Sequence, residues 1–189
     1  MMPLPAPRKA AALCALLWLT GVASAGSLRV QVLDSAGKPL EGAVVSLVSD
    51  AARRAVRPLP EQEIAQENKQ FVPAVRVVTV GTLVRFPNRD SVRHHVYSFS
   101  PAKKFEIKLY AGTPAAPVRF DQPGVAVLGC NIHDQMVGWV VVLDTPYFAQ
   151  TDAQGQALLE GMPAGAHQLR AWHARLPVDV TPPQQAIAL

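Results

Sequence analysis

Val125-Ala-Val-Leu-Gly-Cys130-Asn-Ile-His133-Asp-Gln-Met136-Val-Gly-Trp-Val-Val-Val-Leu143 decides how this chain is read. Two apolar, β-branched stretches flank a short polar run, as two strands flank a loop. The loop reads C-x2-H-x2-M and carries a thiol, an imidazole and a thioether within seven residues. Soft sulfur, borderline nitrogen and a weak axial sulfur are the donors that a mononuclear copper electron-transfer site uses. One histidine from elsewhere would complete such a set.

Working outward, the cysteine gains weight from the N-terminus. Residues 1–25 have a basic start (Arg8, Lys9), an apolar stretch from Ala10 to Val22 and a small-residue Ala23-Ser24-Ala25 site. This is the pattern of a cleaved secretory signal. The apolar stretch is short for a membrane span, so an uncleaved anchor is the lesser alternative, and no span is expected after cleavage. The segment holds two basic and no acidic residues, so the formal charge falls from +4 to +2 without it. The basic balance is therefore no argument for nucleic acid. Cys14 lies in the same segment, which leaves Cys130 as the single cysteine of the mature chain. A lone thiol in an oxidising compartment cannot close an internal disulfide and is a liability unless occupied; a metal would occupy it.

The rest of the chain reads as strands broken by turns, with 17 prolines and 12 glycines against long helices. Leu28–Asp34 alternates, Gly42–Val48 is a second strand, and 49–63 reads as a charged connector. Ile64–Lys69 reads as one helical turn. Ala74–Val80, Leu83–Phe86, Arg93–Ser100, Phe105–Tyr110 and Val118–Phe120 are further strands, and Gln156–Glu160 and His167–His173 close the chain. The class expected is all-β, an antiparallel sandwich. His94, on a strand 36 residues before Cys130, is the best upstream ligand, with His95 beside it as the competitor. Zinc would prefer another thiolate or imidazole to the thioether. A thiol nucleophile paired with His133 lacks a third orienting group. His167 and His173 read as ordinary sandwich residues, and Asp134, Arg93, Lys103 and Lys104 as solvated.

With those residues in place, the chain resembles the cupredoxins, and among them the amicyanin kind with its short C-x2-H-x2-M loop. Phe86-Pro87-Asn88 followed by His94-His95-Val96 resembles the family's Asn-containing turn before Pro-His-Asn-Val. The resemblance implies a Greek-key sandwich holding one copper by His94, Cys130, His133 and an axial Met136. Arg93 and His95 depart from the family's Pro and bracing Asn, and Asp134 stands where amicyanins carry Pro. Asn68–Pro73, His94–Ser100 and Thr145–Phe148 also resemble the exported, cupredoxin-like methylamine utilisation proteins.

The flanks resemble the two halves of a carboxypeptidase-regulatory-like β-sandwich, through Val30–Ala43 and Thr151–Gly165. Two organisations follow: a cupredoxin unit at 64–148 inserted between halves at 26–63 and 149–189, or one sandwich with added strands. The functional expectation is a periplasmic blue copper protein that carries one electron and is not an enzyme. By analogy its donor is a dehydrogenase and its acceptor a c-type cytochrome, with a methylamine link implied only by the family label. A copper storage or chaperone protein, and an interaction module with a degenerate site, are the alternatives.

Overall fold

The computed structural model describes residues 26–114, 116–177 and 180–189; residues 1–25, expected above to be a secretory signal, lie outside them. β1 (Gly26–Gln31) alternates half-buried and exposed positions, whereas β2 (Val44–Val48) is buried throughout. A short helix, α1 (Asp50–Ala55), interrupts the expected connector. Ser49 caps it, its hydroxyl accepting the Ala52 N–H at 3.2 Å, with Asp50 in the first turn and Arg53 and Arg54 in the last. One helical turn and a half is too short to show a period in sequence, which is why this stretch reads as a loop.

β3 (Gln62–Glu63), β4 (Ala65–Glu67) and β5 (Gln70–Val72) follow. The helical turn expected over 64–69 is instead the first arm of a β4–β5 hairpin. Asn68 and Lys69, at φ of 53° and 57°, form its left-handed turn. β6 (Val75–Thr79), β7 (Thr82–Arg85), β8 (His94–Ser100), β9 (Lys103–Tyr110), β10 (Val118–Phe120), β11 (Gly124–Gly129) and β12 (Val137–Leu143) complete the central part. β13 (Phe148–Gln150), β14 (Gln156–Met162), β15 (Ala166–Trp172) and β16 (Gln184–Ala188) finish the chain.

The central strands form two facing sheets. One has the order β6-β12-β11-β8-β9, antiparallel except for the parallel β12–β6 pair; the other is β10-β7-β3. Phe86, Val96, Phe120, Leu128 and Val140 fill the space between them, and Cys130 and Met136 belong to this same core. The flanking strands pair among themselves, β1 with β14 and, in a second sheet, β13-β2-β15-β16. Val45, Leu47, Leu159 and Met162 form the core of this smaller sandwich. A seam joins the two bodies: Val77 and Val141, on the outer face of the five-stranded sheet, meet Val44, Phe148 and Trp172. Burying each of the three valines contributes about 1.5–3 kcal/mol, and the half-buried Phe148 and Trp172 add less than their full area. Arg53 Nε donates to Asp144 Oδ2 at 2.7 Å beside the seam.

His173 lies on the rim of the smaller sandwich, lining a groove with Asp34, Trp172 and Arg175. Burial and then the Arg175 charge lower its pKa, against the partial opposition of a backbone contact at Glu41. The folded state therefore binds fewer protons here than the unfolded chain. This contribution to stability is complete above the ordinary imidazole range and is lost as pH falls through it. His173→Gln is expected to flatten the acid-side decline of the melting temperature, read by thermal melts across about pH 5 to 8.

Candidate metal centre

Two strands and one loop assemble the site. β11 and β12 are an antiparallel hairpin whose register ends at the Gly129–Val137 pair, so residues 130–136 form its loop. The Met136 N–H closes that loop on the His133 carbonyl at 2.9 Å. β8 lies on the other side of β11, with Gly129 opposite Tyr97. The Tyr97 ring lies over Gly129, where a Cβ would fall 2.7 Å from it.

His94 is completely buried and its Nδ1 lies 3.7 Å from Cys130 Sγ. His133 Nδ1 lies 3.8 Å from the same sulfur. The three donor atoms fall within 4.8 Å of one another, and the imidazoles stand 5.0 Å apart at 58°. These separations test the fit to a metal. With metal–nitrogen bonds of about 2.05 Å and metal–sulfur bonds of about 2.3 Å, trigonal ligands at about 120° hold nitrogen and sulfur roughly 3.8 Å apart. Both nitrogen–sulfur separations match a trigonal site of two imidazole nitrogens and one thiolate sulfur. Met136 is almost fully buried and borders the same groove as Cys130.

The loop before His94 is held by Asn88, named above in the Asn-containing turn, and by Asp90, which the sequence did not single out. Asn88 is buried; its Nδ2 donates to the carbonyls of Val92 (2.8 Å) and Tyr110 (3.0 Å), and its Oδ1 accepts from the Asp90 N–H (2.9 Å). Asp90 Oδ2 lies 2.7 Å from His94 Nε2. Burial works to raise the Asp90 pKa, but hydrogen bonds from the Lys69 N–H, His94 and the Asn68 N–H outweigh it and hold the carboxyl below its ordinary range. The available signal was a carboxylate four residues before the candidate ligand His94, on a loop where spacing does not specify contact. Tyr110 lies beneath, its hydroxyl 2.6 Å from the Phe86 carbonyl, and burial raises its pKa.

His95 is on the opposite face of β8 and outside the donor cluster. Its Nε2 comes within 3.0 Å of Glu106 Oε1, but off the direction of a hydrogen bond, so the nitrogen has no directed partner. Its ring meets Tyr97 edge-on at 5.9 Å. It does not brace the Cys130 loop. Asp134 and Arg93 are exposed, while Lys103 pairs with Asp121 at 3.4 Å. His167 is buried, with Nε2 2.8 Å from the Pro163 carbonyl, far in the fold from the loop.

A two-sheet sandwich carries a Cys-x2-His-x2-Met loop on one hairpin and a histidine on the strand beside it. The fold is cupredoxin-like. No family model matches the chain, and no curated protein matches it. Among solved structures, it is similar to a Cu-containing nitrite reductase from Thermus scotoductus SA-01 at 27% identity and a TM-score of 0.41, over 47% of this chain and 23% of that one. A purple cupredoxin from Nitrosopumilus maritimus is similar at 24% identity and a TM-score of 0.39, over 44% of this chain and all of the other. A reduced mutant form of amicyanin is similar at 20% identity and a TM-score of 0.41, over 52% of this chain and 98% of its own. The chain thus spans under a quarter of the nitrite reductase's length.

Proposed function

We propose that this chain is an exported mononuclear copper protein that carries one electron at a time. The observation that supports this most is the donor cluster: His94 Nδ1 and His133 Nδ1 at 3.7 and 3.8 Å from Cys130 Sγ, all three within 4.8 Å of one another. Copper, when bound, supplies the one-electron couple. Cys130 would hold it through a thiolate, His94 and His133 through imidazole nitrogens, and Met136 would offer a weak thioether donor beside them.

The chain's own part is to hold these donors still. Cys130 and Met136 are anchored in the sandwich core and His94 is locked between Cys130 and Asp90. Ligands that cannot move far keep one geometry for both oxidation states. The same burial argues against the storage or chaperone alternative, because a metal-transfer protein needs its sulfur within reach of a partner's ligands. His133 is only half-buried, and Ile132 beside it is exposed. That end supports short-range docking of redox partners, proposed by analogy as a dehydrogenase donor and a c-type cytochrome acceptor. A periplasmic location rests on the signal-like leader, and a role in methylamine oxidation on the family label.

The test is titration of reduced apoprotein with Cu(II). An intense visible thiolate-to-copper charge-transfer band at one equivalent, reversible by mild reductant, is expected; a colourless protein overturns the proposal. Met136→Leu should keep the band and raise the reduction potential by voltammetry, because removing the thioether donor would favour Cu(I).

A further inference from the structure

The carboxylate behind His94 is itself held from a distant part of the chain. Asn68 N–H donates to Asp90 Oδ1 at 2.7 Å and Lys69 N–H to Asp90 Oδ2 at 2.9 Å. Both donors come from consecutive left-handed residues, neither of them glycine. Successive N–H groups in such a turn converge on one anion. That anion is the carboxylate whose Oδ2 also meets His94 Nε2 at 2.7 Å. The side chains of Asn68 and Lys69 take no part in these contacts.

We propose that the Asn68–Lys69 turn is the positioning element of the upstream ligand: through Asp90 it sets which nitrogen of His94 is offered to the metal. The inference rests on the metal-site reading above and deepens it. An ionised carboxylate only accepts hydrogen bonds. A backbone N–H can only donate, so the two turn amides keep Asp90 in its accepting form and fix its place. His94 Nε2 must then carry the proton. Nδ1 keeps its lone pair, and Nδ1 is the atom that faces Cys130 Sγ at 3.7 Å. The tautomer and the ring orientation needed for binding are thus set before metal arrives, as outer partners of metal-bound histidines do. Asn68 and Lys69 are positioning residues that act only through backbone conformation.

This predicts an unusual pattern of substitution. Glycine adopts the left-handed region freely, and β-branched residues resist it. The double variants Asn68→Gly/Lys69→Gly and Asn68→Val/Lys69→Val therefore separate backbone from side chain, and Asp90→Asn removes the charge at constant shape. The first readout is long-range proton–nitrogen NMR of His94 in the metal-free full chain. The wild type and the glycine pair should show a single Nε2–H tautomer with a low-field, slowly exchanging proton. The valine pair and Asp90→Asn should lose that proton. In the copper-loaded protein the same two variants should bind copper about 10- to 100-fold more weakly with a shifted reduction potential, and the glycine pair should match wild type.

The proposal is overturned if Asp90→Asn keeps the wild-type His94 signal. It is equally overturned if the glycine pair loses the signal. These two variants decide the matter even if the valine pair does not fold. A locked tautomer in a chain that takes up no copper would leave the clamp standing and remove the copper reading. A blue protein whose His94 signal ignores the turn would do the reverse.

Discussion

Copper-loaded Cys130→Ser protein is expected to be colourless while keeping its fold. Among the described residues Cys130 is the free cysteine, and it is buried at the end of β11. Its sulfur is within 3.8 Å of both imidazoles. An oxygen in its place is a harder donor with no low-lying thiolate charge transfer, so the visible band should vanish entirely. The fold should tolerate the change, because serine differs from cysteine by one atom and the cost is that of one buried hydroxyl without a close partner, about 1–3 kcal/mol. Circular dichroism checks the fold and the visible spectrum checks the site. A companion pair tests the upstream ligand: His94→Ala should abolish the band, and His95→Ala should leave it, since the two side chains lie on opposite faces of β8. A coloured Cys130→Ser protein would remove the thiolate from the assignment.

The second large effect concerns the joint between the flanks. Gly155 and Gly161 share the same φ of 71°. A Cβ at Gly161 meets nothing within 4 Å, whereas at Gly155 it would stand 2.5 Å from the Val32 carbonyl oxygen and 3.0 Å from the Leu40 nitrogen. Those are backbone atoms in a hydrogen-bonded junction: Val32 N–H donates to the Gly155 carbonyl at 2.8 Å, and Leu40 N–H to the Val32 carbonyl at 3.0 Å. Gly161→Ala should cost the left-handed penalty alone, about 1–2 kcal/mol. Gly155→Ala carries the same penalty plus displacement of the junction, and roughly 4 kcal/mol or more in total is expected, in the exceptional range for a single substitution. Denaturant unfolding of both variants gives the comparison directly. Equal losses would show that the junction yields without cost.

The junction also shows where sequence reading runs out. The turn at Asp152–Gly155 is legible, because Asp152 accepts from the Gln154 and Gln156 amides within its own loop, both at 2.9 Å. That this turn abuts Val32 and Leu40, more than a hundred residues earlier, is a fact of pairing between β1 and β14. The parallel β6–β12 pair is equally non-local. Helix α1 escaped because its six residues, three alanines among Asp50, Arg53 and Arg54, are too few to show an apolar period. The 64–69 segment misled because apolar and polar residues there suit either a helical turn or a strand. Asp90, which accepts the turn amides of Asn68 and Lys69, settles it as a hairpin.

By itself the sequence determined the all-β class and the donor set of the loop. Alternation and turn residues are local signals, and Cys130, His133 and Met136 are confined by a seven-residue hairpin loop that leaves them few places to go. Only the tertiary structure shows that His94, and not His95, lies beside Cys130 and His133. Adjacent strand residues point to opposite faces, and both faces of β8 are covered, by the core on one side and by Tyr97 and Glu106 on the other. Composition therefore could not say which face was the site. The same holds for Asp90 and the turn that grips it. Their meeting with His94 depends on how three separate segments pack, and no spacing in the chain encodes that.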